Sequence, residues 1–210
     1  TYFLENTVSI IEVQSVSYSY PDSSARALNE LSLSVQEGDF VGIVGPSGAG
    51  KSTLALALSG AIPHHFRGNF FGKILVSGMD TCTVALTDIS KIVGSITQDI
   101  NAQMVASIVE DELLFGLENF AVPHAEIPER ITYALETVGI ANLRFREIAS
   151  LSGGQKQKVA IAALLALQPQ VMVLDEPTAA LDPASSELIF QTLSELNKTK
   201  GITVVVIEQK

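Results

Sequence analysis

The fold is decided by nine consecutive residues, which are Gly45, Pro46, Ser47, Gly48, Ala49, Gly50, Lys51, Ser52 and Thr53. They match the pattern G-x-x-x-x-G-K-[ST] between an apolar run, 40–44, and a segment, 53–61, that predicts a helix. Glycines let the backbone wrap closely around a phosphate, and the helix N-terminus adds the positive end of a dipole. We therefore predict a phosphate-binding loop, in which Lys51 holds the β- and γ-phosphates and Ser52 places its hydroxyl on Mg²⁺. The alternative is a glycine-rich turn without a ligand.

The segments around this loop predict an α/β fold. Uninterrupted apolar runs at 40–44, 171–174 and 202–207 predict strands that are buried on both faces. Helices are predicted over 53–61, 105–117, 126–138, 154–167 and 184–198. Apolar strands that alternate with helices indicate a parallel sheet with helices on both of its faces.

Two parts of the chain depart from this pattern. Apolar and polar residues alternate over 10–20 and 28–35, which predicts an antiparallel sheet with one solvated face. The range 98–150 is rich in predicted helix and lacks a buried strand run, so we expect an inserted helical subdomain there. We expect 1–210 to form a single domain. Because the chain starts with Thr and ends directly after an apolar run, we also expect a fragment that is truncated at its C-terminus.

Composition excludes several classes of function. The 210 residues include 13 Lys and Arg and 23 Asp and Glu, which gives a net charge of −10. Such an acidic chain is a poor candidate for binding the phosphate backbone of nucleic acids. The single cysteine, Cys82, excludes an internal disulfide and fits a reducing compartment. No apolar run approaches the roughly 18–20 residues that a helix needs to span a bilayer.

A pair of carboxylates follows the apolar run 171–174. The strand predicted there delivers Asp175 and Glu176 at its carboxyl end, beside the loop 45–53, where ligands bind in such sheets. Asp175 would hold Mg²⁺, and Glu176 is the candidate general base for an attacking water. An apolar strand that ends in Asp-Glu is by itself more often a strand cap, but beside a phosphate loop it becomes a specific signal.

The stretch Leu151-Ser152-Gly153-Gly154-Gln155 decides the family, because with the two preceding motifs it resembles the ATP-binding cassette (ABC) ATPases. The resemblance covers about 8–209. It implies a P-loop NTPase core with a parallel sheet, an N-terminal antiparallel β subdomain and an inserted helical subdomain. It also implies ATP and Mg²⁺ as ligands, and a head-to-tail dimer in which each ATP lies between the loop 45–53 of one subunit and the signature 151–155 of the other. The signature residues at the nucleotide would be Ser152, Gly153, Gly154 and Gln155. Alone, this stretch would predict a flexible helix cap.

Three further positions match the family one at a time. Tyr20 stands where the family stacks an aromatic ring on adenine, with Tyr18 as the nearby alternative and packing against the sheet as the other explanation. Gln98 matches the glutamine that senses Mg²⁺ and the attacking water and that links to the membrane partner, although it could be a solvated loop residue. The stretch 180–182 matches the segment that crosses the dimer interface, and Asp182 could also be an N-cap.

Within the family, the chain is most similar to the ATPases of energy-coupling factor (ECF) transporters. The similar stretches are 62–66, 78–81, 98–103 and 109–119, with Asp99-Ile100 where that group has Asn-Pro. This resemblance implies import of a vitamin or metal ion, at the cytoplasmic face of the membrane, under a transmembrane coupling subunit and beside a separate substrate-binding membrane subunit. A soluble ABC ATPase that acts on nucleic acid or ribosomes is disfavoured by the charge and by the 100 residues between Lys51 and Leu151.

Gln209 is the main departure from the family, most members of which place a histidine after the last strand. A neutral amide can donate a hydrogen bond to phosphate but cannot carry positive charge. We expect Gln209 to weaken hydrolysis and leave ATP binding intact. The chain would then be a weakly hydrolysing or non-hydrolysing subunit of an asymmetric dimer. An engineered substitution or a shifted register near the end of the chain are the alternatives.

Overall fold

Two four-stranded sheets organise the part of the chain that the computed structural model describes, which is residues 9–21, 23, 25–179 and 181–209. The strands are β1 (Ser9–Ser19), β2 (Leu28–Gln36), β3 (Phe40–Val44), β4 (Asn69–Val76), β5 (Met79–Asp80), β6 (Val93–Ile96), β7 (Val171–Asp175) and β8 (Thr203–Glu208). One sheet is antiparallel, in the order β2-β1-β4-β5, and the other is parallel, in the order β3-β8-β7-β6. The predicted α/β fold with an antiparallel N-terminal sheet is confirmed.

The helices of the described residues are α1 (Lys51–Leu58), α2 (Ala61–His64), α3 (Leu86–Ser90), α4 (Ile100–Gln103), α5 (Val109–Asn119), α6 (Ile127–Thr137), α7 (Gly153–Ala166) and α8 (Pro183–Lys200). Five of these eight helices lie close to predicted positions, and the short helices α2, α3 and α4 were not predicted. The prediction for α5 began four residues too early, because the backbone N–H groups of Val105 and Ala106 donate to Glu112 Oε2, at 3.0 and 2.8 Å, ahead of the helix. In the described part of the chain, every helix is too short or too polar to cross a membrane.

The central strands of the parallel sheet separate two apolar cores. All residues of β7 are buried, and so are the first five of β8. Met172 and Leu174 pack with α5, α6 and α7, whereas Val171 and Val173 pack with α1 and the antiparallel sheet. This alternation follows from the strand period of two, and it explains why the positions 171–174 and 204–207 of these strands are all apolar.

The prediction for β3 is wrong in one respect. We expected both faces of this strand to be buried, but Phe40 and Val44 are 40% and 68% exposed. Among the described residues, β3 lies at the edge of the parallel sheet and pairs only with β8. An apolar run therefore identified the strand correctly but not its place in the sheet.

The range 98–150 contains α4, α5, α6 and two short 3₁₀ turns, at Ala141–Leu143 and Ile148–Ser150. Its apolar side chains recur at helical spacing, as in Val109, Leu113 and Leu117, all of which are fully buried. These side chains pack in the same core as α7, so the segment is attached to the parallel sheet through that helix.

Gly94 sets how closely α7 approaches the sheet. A Cβ atom at this position would overlap the side chain of Leu164 and lie 2.8 Å from its Cγ. We expect Gly94→Ala to lower the free energy of unfolding by about 1–3 kcal/mol through overpacking, as measured by denaturant titration. Gly42→Ala is the matched control, because no atom of the residues that the structure describes lies within 4 Å of a Cβ built on that strand glycine. Equal losses for the two variants would contradict this explanation.

Candidate nucleotide-binding site

The carboxyl ends of three adjacent strands bring the predicted site residues to one edge of the sheet. β3 ends at Val44 beside Glu208 of β8, and Asp175 of β7 lies beside Ile207 of β8. The loop 45–50, the carboxylate pair and Gln209 therefore follow three neighbouring strands. This is the edge at which open α/β sheets bind ligands.

The loop has the backbone geometry that its glycines allow. Gly48 and Gly50 have φ angles of +80° and +87°, which a residue with a Cβ atom adopts at a cost. A Cβ atom on Gly50 would also overlap the carbonyl oxygen of Ala27. Helix α1 begins directly afterwards at Lys51, so its free N–H groups face the loop interior.

Lys51 is folded back across this loop. Its side chain is 8% exposed, and its Nζ donates to the carbonyl oxygens of Gly45 and Pro46 at 2.9 and 3.0 Å. The carbonyl groups hold the ammonium over the concave side of the loop. An incoming phosphate could therefore take the place of these two carbonyl oxygens, because an anionic acceptor forms a stronger hydrogen bond with the ammonium than a neutral acceptor does.

Asp175 is a buried carboxylate with an incomplete set of partners. It is 6% exposed, and among the described residues nothing donates to its Oδ1. Burial raises the pKa of Asp175, and the neighbouring Glu176 charge adds to this rise, while the hydroxyl of Ser52 and the charge of Lys51 oppose it. A buried carboxylate oxygen without a donor, next to a serine hydroxyl, fits the oxygen ligands that Mg²⁺ requires.

Glu176 is held by two side-chain amides. Its Oε2 accepts from Gln98 Nε2 at 3.0 Å and from Gln209 Nε2 at 3.3 Å. Its backbone has a φ angle of +49°, in the left-handed region that is uncommon for residues other than glycine and concentrated at functional sites. The structure thus brings together three predicted catalytic residues that lie up to 111 positions apart in the chain.

The signature residues form a complete helix cap. Ser152 Oγ accepts from the backbone N–H of Gln155 at 3.3 Å, and Gln155 Oε1 accepts from the backbone N–H of Ser152 at 3.0 Å. The helix begins at Gly153 with small residues, so its N-terminus remains approachable. A cavity of about 290 Å³ beside Ser152, Gly154 and Gln155 is lined by none of the residues 45–53. Within one subunit, the cap and the loop therefore do not share this cavity.

Tyr20 and Tyr18 have different environments. Tyr18 is fully buried, and its hydroxyl donates to the carbonyl oxygen of Arg67 at 3.0 Å. The alternative prediction, that the ring of Tyr18 stacks on adenine, is therefore wrong. Tyr20 is half-buried, and its hydroxyl forms a hydrogen bond with Thr53 Oγ1 at 3.1 Å. The ring of Tyr20 therefore lies next to the start of α1, and its role in binding adenine stays a prediction.

Asp182 is confirmed as the N-cap of α8. Its Oδ1 accepts from the backbone N–H of Ser185 at 3.0 Å and its Oδ2 accepts from the hydroxyl of Ser185 at 2.6 Å. These hydrogen bonds lower the pKa of Asp182. The role of 180–182 at a dimer interface stays a prediction, and Ala180 lies outside the described residues.

Sequence reasoning missed Gln157, which is 1% exposed and lies in a cavity next to Glu176. A signal was present, because Gln157, Ile161 and Leu165 recur at a spacing of four and therefore share the buried face of α7. A polar residue at the first of these positions indicates a special environment.

The comparisons with known proteins identify the family of this chain. The family model described as "ABC transporter" matches residues 28–179. A Pyrococcus abyssi protein named as an ABC transporter ATP-binding protein is 41% identical, over 96% of this chain and 72% of its own length. A Methanosarcina mazei protein of the same description is 40% identical, but the chain spans only 35% of its length.

Two solved structures have similar folds. CbiO1 from Clostridium perfringens, described as part of the ABC transporter complex CbiONQ, has a TM-score of 0.85 and 32% identity, over 96% of this chain and 79% of that one. The ATP-binding cassette MJ0796, a dimer in a post-hydrolysis state with ADP and Pi, has a TM-score of 0.81 and 28% identity, over 95% of this chain and 88% of that one.

The raised pKa of Asp175 predicts how stability depends on pH. Above that pKa the folded protein carries a poorly solvated charge, so we expect Asp175→Asn to raise the melting temperature at neutral pH without nucleotide. The gain should vanish as the pH falls through the raised pKa and the carboxyl group becomes protonated in the folded state. Thermal melts across pH measure both effects.

Asp182→Asn is the control of opposite sign. The pKa of Asp182 is lowered, so this variant should be less stable than the natural chain at neutral pH, and the difference should vanish as the pH falls through that lowered value and Asp182 of the natural chain becomes protonated. With Mg-ATP present, Asp175→Asn should lose the ligand-induced rise in melting temperature. A full rise in that variant would show that Asp175 does not hold the metal.

Proposed function

Since this chain belongs to the ABC transporter family of ATP-binding proteins, we propose that it is the ATPase subunit that powers a membrane importer of the ECF type. ATP hydrolysis is the activity of the family, and the related cassette MJ0796 was solved with the products ADP and Pi. The catalytic part of the proposal rests on the pair Asp175 and Glu176. Among the described residues nothing donates to Asp175 Oδ1, whereas Glu176 Oε2 accepts from two side-chain amides.

The residues divide the work of hydrolysis. The loop 45–53 would bind the phosphates through backbone N–H groups, while Lys51 would leave the carbonyls of Gly45 and Pro46 for the β- and γ-phosphates. Glu176 would take a proton from the attacking water, which Gln98 would help to orient. Ser52, Asp175 and Gln98 would hold Mg²⁺, which when bound offsets charge on the phosphates.

The signature cap would act on the nucleotide of a second subunit. Its residues, Ser152, Gly153, Gly154 and Gln155, begin a 14-residue helix whose N-terminus favours anions. The dimeric state of MJ0796 supports an assembly of this kind. We propose a head-to-tail dimer in which ATP closes the interface and hydrolysis reopens it.

A groove beside α7 is the proposed docking surface for a transmembrane coupling subunit. This coupling groove, of about 140 Å³, is lined by residues of α5, α7 and the segment after α4, among them Met104, Phe115, Ala163 and Leu164. Phe115 is 51% exposed, and Val105 beside Met104 is 61% exposed. The description of CbiO1 as part of the ABC transporter complex CbiONQ supports a membrane partner. We further propose a peripheral position at the cytoplasmic face and a separate substrate-binding membrane subunit.

Gln209 favours a second candidate function, a weakly hydrolysing subunit of an asymmetric dimer. Its amide donates to Glu176 rather than standing free, and it cannot supply the positive charge of a histidine.

The acidic net charge of −10 continues to disfavour a nucleic-acid partner.

Turnover of Mg-ATP tests both candidates. We expect the chain to hydrolyse ATP and Glu176→Gln to reduce kcat by at least about a hundredfold through loss of the base. Gln209→His should raise kcat, and its pH–rate profile should gain a limb near the imidazole pKa, about 6.5, that the natural chain lacks. Turnover in the natural chain that is independent of Glu176 would contradict the proposed mechanism. Equal kcat values and pH profiles for Gln and His would contradict the asymmetric alternative.

Substitution in the coupling groove tests the membrane partner. Phe115→Ser should weaken binding of the coupling subunit about tenfold or more, because an exposed aromatic side chain in a groove is a typical hot spot. Co-purification of the membrane subunits with the tagged chain measures this effect. Phe71→Ser, at another exposed phenylalanine on β4, should leave assembly unchanged. Similar losses for both variants would show that the groove is not the specific docking site.

A further inference from the structure

Gln157 is buried in α7 beside the catalytic base and lacks a hydrogen-bond acceptor. Its side chain is 1% exposed, and no described residue accepts from its Nε2. A buried amide donor without an acceptor costs free energy comparable to a lost hydrogen bond, so such groups are normally satisfied. The signature itself does not explain this residue, because the helix cap is complete without it.

A cavity lies next to this amide. It has a volume of about 110 Å³, and the polar side chains that line it include those of Gln98, Asn101, Lys156, Gln157 and Glu176. In the liquid each water occupies about 30 Å³, so this cavity has room for about three waters. A buried water needs two to four polar partners, and the amide, carboxylate and ammonium groups in this lining can supply them.

The donors and acceptors around the cavity are complementary. Gln98 Nε2 donates to Glu176 Oε2, which leaves Gln98 Oε1 as the free end of that amide, and among the described residues nothing donates to it. Asn101 Oδ1 already accepts from Lys156 Nζ at 2.9 Å. Among the described residues, the buried donor without an acceptor at the cavity is therefore the Gln157 amide, and the acceptors without a donor include Gln98 Oε1 and Glu176 Oε1.

We propose that Gln157 is a positioning residue for ATP hydrolysis, which acts through water in this cavity on Gln98 and so on Glu176. A water there accepts from Gln157 Nε2 and donates to one lone pair of Gln98 Oε1, which leaves the other lone pair of this oxygen for Mg²⁺. The inference rests on the proposed ATPase function of this site.

Gln98 needs such an anchor, because its own surroundings do not fix it. It is exposed and follows β6 in a loop, and among the described residues Glu176 is its one side-chain hydrogen-bond partner. A glutamine held at both ends of its amide is pre-organised, so less rotational freedom is lost when the attacking water is aligned. Because Gln157 belongs to the signature helix, the water also links that helix to the catalytic base.

The first test uses Gln157→Leu, which keeps the approximate shape and removes the amide, with Gln157→Asn as the conservative variant. We expect the leucine variant to lower kcat about tenfold, as loss of outer-shell partners does at other catalytic centres, with an unchanged KM for ATP. The asparagine variant should retain most of kcat. The melting temperature of the leucine variant should not fall, because an apolar group replaces a buried amide.

A double-mutant cycle separates this role from a structural one. If Gln157 acts through Gln98, then Gln98→Leu combined with Gln157→Leu should be no slower than Gln98→Leu alone. Thr192→Val is the matched control: Thr192 is buried in α8, its hydroxyl donates to the Leu188 carbonyl at 2.9 Å, and kcat should not change. An unchanged kcat in Gln157→Leu, or multiplicative losses in the double variant, would overturn the proposal.

A crystal structure of the chain at a resolution that shows ordered water gives an independent result. We expect electron density for a water bonded to both Gln157 and Gln98, and a dry cavity would overturn the proposal. Failure of the ATPase function is recognised separately, because it removes the difference in turnover between the natural chain and Glu176→Gln. The crystallographic result then still decides whether Gln157 holds Gln98.

Discussion

The burial of two adjacent carboxylates at the end of β7 is the constraint on which the site depends. Charges in a poorly solvated position raise the free energy of the protein unless donors or cations compensate them. Glu176 is compensated by two amides, whereas Asp175 has a raised pKa and an oxygen to which no described residue donates. The protein therefore carries an electrostatic imbalance that a bound cation would relieve, which couples metal binding to stability.

The donors that hold Glu176 are polar but neutral. Both donors to its carboxylate are amides, and neither titrates in the physiological range. Such donors stabilise the ionised carboxylate and fix its direction without adding a pH-dependent charge. The departure at Gln209 thus changes the kind of support that Glu176, the proposed base, receives, in addition to what could be offered to the γ-phosphate.

Helix α7 connects the nucleotide edge to the coupling groove. It has 14 residues, so it is roughly 21 Å long. Its N-terminus is the signature cap, Gln157 faces the cavity beside Glu176, and Ala163 and Leu164 line the groove. Gly94 allows the sheet to approach this helix closely. A rigid element that touches all three places can transmit a displacement at one of them to the others.

The sequence alone determined the α/β class, the phosphate loop, the strand that ends in Asp175 and the capped helix of the signature, because each depends on a local pattern of residue types. Only the tertiary structure decided that β3 lies at a sheet edge, that Tyr18 is buried while Tyr20 is not, and that Glu112 delays the start of α5. It also decided that Gln98 and Gln209 converge on one oxygen of Glu176. These outcomes depend on which strands pair and which helix faces meet, and such contacts join residues that are distant in the chain and leave no periodic trace in it.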